Sequence, residues 1–244
     1  MKLTVLGNNG PYPKAGSACS GYLIEYKNTK ILIDCGNGVL SRLFKFTKLK
    51  NLDAIILSHL HSDHMSDILI MKYAIGLKNN NEKTKFTLPI FCPTDDNTFL
   101  EKMNYNNAFS INSIDDSKNL IINDLEVSFK KMIHPVTTYA VKIKSDNKIL
   151  VYSGDTSYND DIIEFAKNSD LFLCEAGTLE KDRSDETPHL SAKQAGKLAT
   201  EANVKRLVLT HFWPEYRLDK IMKEASLTYD SILELSHEMK SYFI

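Results

Sequence analysis

The 244-residue sequence contains little cysteine and no long apolar run. Its four cysteines form no Cys-x-x-Cys pair and lie at no zinc-finger spacing from a histidine, so neither a disulfide framework nor a zinc finger is expected. A membrane-spanning helix needs about 18 or more consecutive apolar residues, and the sequence has no such stretch. The apolar stretch near the start is too short for a signal peptide, and we therefore expect a cytoplasmic protein with no membrane partner.

Neither sign of charge is in large excess, because 30 Lys and Arg residues are balanced by 31 Asp and Glu residues, giving a formal net charge of −1. Lysines form two local clusters, Lys45, Lys48 and Lys50 in the first and Lys78, Lys83 and Lys85 in the second. Proteins that bind long nucleic acids usually carry a longer basic stripe. We therefore expect a small anionic substrate and no long nucleic acid.

The chain alternates short apolar strands with helical segments and repeats part of its own pattern. Residues 21–38 and 138–156 both predict a hairpin whose second strand reads Lys-Ile-Leu, and residues 53–61 resemble residues 205–213. These matches predict an internal duplication. They indicate two facing sheets with helices on the outer faces, an α/β layered sandwich.

The predicted domain organisation follows from this repeat. We expect one domain over residues 1–244, with half-units of about 1–134 and 135–244. The tail from Leu218 onward is predicted to be mainly helical.

The strongest chemical signal is the segment from Ser58 to His64, which contains three histidines and one aspartate between a predicted strand and a predicted helix. In extended backbone, residues i and i+2 point the same way, so His59 and His61 can bind one metal from one side. Asp63 and His64 lie in the following turn and can bind a second metal. Imidazole and carboxylate groups are suitable zinc ligands.

Further ligands are needed to complete two coordination spheres. His134, Asp155 and His211 each follow a predicted strand, which is where an α/β scaffold usually places functional side chains. We therefore add these three residues to the predicted metal site.

The ordered set of motifs resembles that of metallo-β-lactamase-fold hydrolases over about residues 1–216. These motifs are His-x-His-x-Asp-His, a later His, Gly-Asp-Thr and Thr-His. The resemblance implies an αββα four-layer sandwich and two divalent metal ions. It implies that the first metal is bound by His59, His61 and His134, the second by Asp63, His64 and His211, and both by a bridging Asp155.

Within that superfamily the sequence is most similar to the tRNA-processing endonuclease RNase Z and its relatives. The glycine-rich opening, Glu175 in CEAGTLE and His189 before a predicted helix carry this similarity. It implies that Glu175 and His189 pair beside the metals without binding them, and that the protein forms a homodimer.

Two departures from RNase Z count against pre-tRNA as the substrate. Only residues 135–154 separate His134 from Asp155, which leaves no room for the long arm that grips tRNA in that family. Glu215 also stands before Tyr216 where the family commonly has arginine. The sequence therefore resembles an armless relative of RNase Z.

The expected mechanism uses a hydroxide held between two cations, with Zn²⁺ favoured and Mn²⁺ or Fe²⁺ compatible with the same ligands. Asp63 would orient this nucleophile and accept its proton, and His189, oriented by Glu175, would protonate the leaving alkoxide. Asp34 ends a predicted strand and would orient a metal-binding histidine from behind.

Three functions are compatible with these residues. The leading hypothesis is a phosphodiesterase acting on cyclic nucleotides, short oligonucleotides or other small diesters, because the Glu175–His189 pair suits an alkoxide leaving group. The first alternative is a carboxylic-ester, lactone or thioester hydrolase on the same metals. The second is a non-catalytic metal-binding protein, against which the full ligand set argues, since purely structural zinc sites are usually closed and mononuclear.

Overall fold

Two mixed β-sheets face each other across a core of aliphatic and aromatic side chains. The computed structural model describes the backbone of residues 1–244 and every side chain except that of Glu82. Across these residues the first sheet has, in spatial order, β14 (Ser241–Phe243), β1 (Lys2–Gly7), β2 (Gly21–Tyr26), β3 (Thr29–Ile33), β4 (Ala54–Ile56), β5 (Leu88–Cys92) and β6 (Phe109–Ser113). The second has β13 (Ile232–Leu235), β12 (Arg206–Thr210), β11 (Leu171–Glu175), β10 (Ile149–Tyr152), β9 (Tyr139–Lys144), β8 (Leu125–Lys131) and β7 (Asn119–Ile122).

Helices cover the outer face of each sheet. Those against the first sheet are α1 (Val39–Leu43), α2 (Ser62–Met65), α3 (Ile68–Gly76) and α4 (Asn97–Met103). Those against the second are α5 (Asp161–Ala166), α6 (Ala192–Glu201) and α7 (Leu218–Ala225). Short 3-10 helices at Leu49–Asn51, Lys78–Asn80, Glu82–Thr84 and Glu180–Asp182 connect some of these elements. Among the residues described, none of the helices has the length and apolar character needed to cross a membrane.

Side-chain alternation along the strands accounts for the layering. In β3, Ile31 and Ile33 point into the core between the sheets, whereas Leu32 packs against the outer helices. Successive strand residues point to opposite faces of a sheet, so a strand that is apolar throughout must be covered on both sides. The predicted αββα four-layer sandwich is therefore confirmed.

The strands that lead to the predicted site residues share a direction. β3 runs parallel to β4, and β10, β11 and β12 run parallel to one another. Parallel neighbours bring their carboxyl ends to the same edge of a sheet, and the loops that leave this edge usually carry function. The fold therefore collects the residues after these strands at one edge of the sandwich.

The tail of the chain differs from the sequence prediction. Only α7 is helical after Leu218, because β13 then pairs parallel to β12 and β14 pairs antiparallel to β1. The prediction of a mainly helical tail was wrong because pairing with distant strands decides the structure of these short segments.

The division between the sheets also differs from the predicted half-units. The second sheet begins with β7, before residue 134, and β14 returns to the first sheet. The sheets and the predicted half-units therefore do not coincide, and the internal duplication stays a prediction.

The close approach of α6 and α7 leads to a prediction about stability. A Cβ added at Gly196 would lie 2.5 Å from Thr228 Oγ1 and 2.6 Å from the carbonyl oxygen of Ala225. We expect Gly196→Ala to lower the free energy of unfolding by about 1–3 kcal/mol in chemical denaturation, because the two helices must move apart. The exposed control Lys193→Ala should change it by less than about 0.5 kcal/mol. Equal stability of the two variants would contradict this account of the helix contact.

Candidate metal centre

The predicted site residues come together where loops from both sheets meet. Ligand-type atoms lie within 4.8 Å of one another in three overlapping groups. These groups are His59, His61 and His134; Asp63, His64, Asp155 and His211; and Glu175, His189 and His211. The structure therefore brings together every predicted ligand and the predicted Glu175–His189 pair.

The first group is a cluster of three imidazoles whose nitrogens converge. His61 Nδ1 lies 3.1 Å from His59 Nε2 and 3.2 Å from His134 Nε2. On the far side of its ring, His134 Nδ1 donates to the carbonyl oxygen of Pro188 at 3.1 Å, and His59 Nδ1 contacts Ser58 Oγ at 3.1 Å. A carbonyl can only accept, so His134 Nε2 keeps its lone pair. His61 Nδ1 has at most one proton for its two imidazole neighbours, so at least one of these short N···N contacts lacks its own hydrogen bond and suits a cation between the rings.

The second group combines two imidazoles with two carboxylates. His211 Nε2 lies 3.1 Å from Asp63 Oδ2 and 3.3 Å from Asp155 Oδ2. His64 Nε2 lies 3.3 Å from Asp155 Oδ2. Within the described part of the structure, His64 Nε2 and Asp155 Oδ1 are buried without a hydrogen-bond partner. Buried polar atoms are normally paired, so these orphan atoms indicate a missing cationic partner.

The spacing of the ligand atoms fits divalent cations. In a tetrahedral site with metal–ligand distances of about 2.0–2.1 Å, neighbouring ligand atoms are about 3.3–3.4 Å apart. The closest separations in both groups, 3.1–3.4 Å, are near this value. Asp155 Oδ2 also lies 3.7 Å from His59 Nε2, between the two groups. The side chains present therefore fit two cations that share Asp155.

The ionisation of His59, His134 and Asp63 suits metal binding, whereas nearby carboxylates overcome the effect of burial and hold the pKa of His64 well above its usual value, so His64 must lose a proton to bind a cation. Burial holds the pKa of His59 well below its usual value and lowers the pKa of His134 to about 4, so both rings are neutral near pH 7. Burial alone would raise the pKa of Asp63, but the neighbouring His64 and His211 keep it well below its usual range. Neutral imidazoles and ionised carboxylates are the forms that bind metals.

Asp34 lies behind the second group, where the sequence predicted a carboxylate that orients a metal-binding histidine. Its Oδ2 accepts hydrogen bonds from His64 Nδ1 at 2.7 Å, from Tyr152 Oη at 2.9 Å and from Ser58 Oγ at 2.9 Å. Its Oδ1 accepts from the backbone N–H of Ser58 at 2.8 Å. Because His64 Nδ1 is held as the donor, Nε2 is left as the metal-facing acceptor.

The Glu175–His189 pair lies beside both groups. His189 Nδ1 lies 3.1 Å from Glu175 Oε1, and the carboxylate also accepts from the backbone N–H groups of Thr156 at 2.7 Å and Gly177 at 3.2 Å. Burial alone would lower the pKa of His189, but the Glu175 carboxylate raises it to about 9. Three donors occupy Glu175, which makes it a poorer metal ligand than Asp155 and a good orienting partner for His189.

Several residues that hold the site were not predicted from the sequence. Tyr152 and Ser58 hold Asp34, and the carbonyl of Pro188 holds His134. Gly10 was assigned only to a loop, yet a Cβ there would lie 1.9 Å from His211 Nε2, so only glycine fits against this ring. The position of Ser58 directly before His59 was the one available signal, because the other contacts depend on distant segments.

The two departures from RNase Z have a structural counterpart. The β9–β10 hairpin occupies most of the interval between His134 and Asp155. Glu215 accepts a hydrogen bond from Tyr12 Oη at 2.9 Å, and the Tyr12 ring meets the Trp213 ring edge-on at 6.0 Å between centroids. Glu215 therefore links the loop that contains His211 to Tyr12 on the loop that contains Gly10.

Comparison with known proteins gives consistent matches over the whole chain. The family model described as "Beta-lactamase superfamily domain" matches residues 29–212. The probable metallo-hydrolase YhfI of Bacillus subtilis is 34% identical over 245 residues, covering 100% of this chain and 99% of the relative. The crystal structure of YhfI superposes with a TM-score of 0.94 at 33% identity, covering 99% of this chain and 98% of that one.

More distant matches include ribonucleases. Ribonuclease Z of Clostridioides difficile is 26% identical over 283 residues, covering 92% of each protein. The crystal structure of the short form of human tRNase Z superposes with a TM-score of 0.79 at 19% identity, covering 100% of this chain and 99% of that one. The human structure shows that the fold is shared.

The hydrogen bond from His64 to Asp34 leads to a prediction about metal affinity. We expect Asp34→Asn to weaken metal binding about 10–100-fold, because an amide cannot match the carboxylate in holding Nδ1 as the donor. The measurement is competition with a chromogenic chelator. Tyr152→Phe is the comparison variant, because it removes another donor to the same carboxylate but keeps the bond to His64, and it should weaken metal binding less than Asp34→Asn. The role of Asp34 would be wrong if Asp34→Asn bound metal as tightly as the wild type.

Proposed function

Because the chain belongs to the beta-lactamase superfamily, we propose that it is a metal-dependent hydrolase of small or short phosphodiesters, such as cyclic nucleotides and short oligonucleotides. The observation that favours phosphodiesters is the Glu175–His189 pair beside the metal centre. An alkoxide leaving group needs a proton, whereas lactone and thioester hydrolysis depends less on a dedicated acid. The 26% identity to a ribonuclease Z supports the same reaction class.

Each ligand group binds one cation in the proposed site. His59, His61 and His134 bind one cation and Asp63, His64 and His211 bind the other, with Asp155 shared, and Zn²⁺ is the favoured metal. Two such cations, when bound, lower the pKa of a water molecule and neutralise the charge that develops on the substrate oxygens. The chain must hold these ligands rigidly. The buried hydrogen bond between His64 and Asp34 and the close packing of Gly10 against the His211 ring favour this.

Proton transfer is assigned to two side chains on different elements. Asp63 follows β4 and stays ionised, so it can accept a proton from the attacking water. Glu175 raises the pKa of His189 to about 9, which favours the protonated ring that a general acid needs. Its Nδ1 is turned toward Glu175, which leaves Nε2 on the opposite side of the ring to donate to the leaving oxygen. The side chain is 24% exposed, so a substrate can reach it.

A cavity beside His61 suits the non-reacting part of a small substrate. Its volume is about 330 Å³, and Phe99 and Val136 contribute apolar wall. Asp95 and Asp96 also line it, which makes it unfavourable for additional phosphates and favourable for groups that donate hydrogen bonds, such as sugar hydroxyls. The cavity is near the lower end of the size range of small-molecule sites. We therefore favour a substrate with one or two nucleotide units.

The number of metal ions is the first test of this proposal. We expect about two divalent ions per chain by elemental analysis of purified protein, and loss of activity on chelation that is restored by Zn²⁺. His134→Ala and His211→Ala should each reduce the content to about one ion, because each removes a ligand from a different group. One ion in the wild type, or activity that survives chelation and dialysis, would refute the two-metal site.

The leaving group provides the second test. We expect His189→Ala to slow hydrolysis of 3′,5′-cyclic AMP and of an RNA dinucleotide by about 10²–10⁴-fold, because these alkoxides must be protonated. Hydrolysis of bis(p-nitrophenyl) phosphate should fall by less than about tenfold, because nitrophenolate leaves without a proton. The matched control is the metal content of the variant, which should be unchanged. An equal loss on all three substrates would exclude His189 as the acid, and faster turnover of a lactone by the wild type would favour the ester hydrolase.

A further inference from the structure

A groove lined by lysines lies on the helical side of the first sheet. Its volume is about 710 Å³, and it forms where the segment after α1 meets the segment after α3. The lysines that line it are Lys48, Lys50, Lys78, Lys83 and Lys85. The sequence separates these residues into two clusters, and folding brings the clusters together around one cavity. We call this cavity the lysine groove.

The lysine groove is remote from the metal centre. Lys50 lies just before β4 and Phe86 just before β5, and these two strands are parallel. The metal ligands begin at His59, after the carboxyl end of β4. A strand rises about 3.3 Å per residue, so the lysine groove and the metal centre are on the order of 20 Å apart. A ligand in the groove therefore does not share the metal site.

No acidic side chain that the structure describes balances the charge of the lysine groove. Its five lysines form no ion pair with any side chain that the structure describes. The whole chain has a net charge of −1, so the groove is a local concentration of positive charge on an otherwise acidic protein. Clefts that carry one sign of charge attract ligands of the opposite sign. The chemistry of the groove therefore selects a ligand with several negative charges.

Aromatic rings complete the groove. Phe44 lines it with 53% of its surface exposed, and Phe86 lines it while packing partly against the core. Phosphates beside ammonium groups and a base stacked on an aromatic ring are the two contacts that single nucleotides and single strands make with proteins. The volume lies in the range of small-molecule sites. We propose that the lysine groove is a second binding site, which takes a nucleoside polyphosphate with its phosphates on the lysines and its base against Phe44.

The test measures binding to the metal-loaded protein by isothermal titration calorimetry at 50 mM and 250 mM NaCl. The three probes are ATP, inorganic tripolyphosphate and adenosine. We expect ATP to bind more tightly than tripolyphosphate, adenosine to bind most weakly, and the Kd for ATP to rise with salt. Lys48→Glu/Lys50→Glu should weaken ATP binding at least about tenfold, because it reverses two charges in the groove.

Two controls make the outcome decisive. Lys220→Glu/Lys223→Glu changes the net charge equally on α7 and should leave ATP binding unchanged. Phe44→Ala should bring the affinity for ATP down to that for tripolyphosphate. All these variants should keep the wild-type rate on bis(p-nitrophenyl) phosphate, which shows that they fold and that the metal centre is intact. The proposal is overturned if ATP does not bind at millimolar concentration, if the α7 variant loses as much affinity as the groove variant, or if Phe44→Ala leaves the preference for ATP intact.

Discussion

Asp155 is the carboxylate around which the rest of the site is arranged. It is almost fully buried, it follows a strand of the second sheet, and its Oδ2 lies 3.3 Å from both His64 and His211 and 3.7 Å from His59. Burying an ionised carboxylate is costly unless positive charge lies close to it. His59 is neutral and His64 must lose a proton to bind a metal, so in the proposed function two cations provide that charge.

The site also depends on how the two sheets are held together. The ligands His59 and His61 follow a strand of the first sheet, whereas His134 and His211 follow strands of the second. Buried hydrogen bonds cross between the sheets close to these ligands, from Tyr152 to Asp34 at 2.9 Å and between Tyr22 and Thr210 at 2.7 Å. A small sliding of one sheet over the other would separate the ligand groups, so these bonds fix both the fold and the geometry of the metal centre.

The parts of the site that could be predicted from the sequence are those encoded by local spacing. His59 and His61 were found because extended backbone points alternate residues the same way, and Asp155 was found because it ends an apolar strand. The parts that could not be predicted depend on distant segments. Tyr152 reaches Asp34 across the core, Gly10 packs against a ring 201 positions away, and the lysine groove joins two clusters that are local in sequence. The segments after residue 225 were misassigned for the same reason, because their strand partners belong to other parts of the chain.

The return of β14 to the first sheet has a consequence for how the protein acquires its structure. β14 pairs with β1, and the register joins Leu3 to Tyr242 across nearly the entire sequence. During synthesis on the ribosome, β1 therefore has only β2 beside it until the final part of this sheet has emerged. An exposed strand edge is able to pair with another chain. Nascent molecules would be most prone to self-association during that interval, and chaperone protection would matter most there.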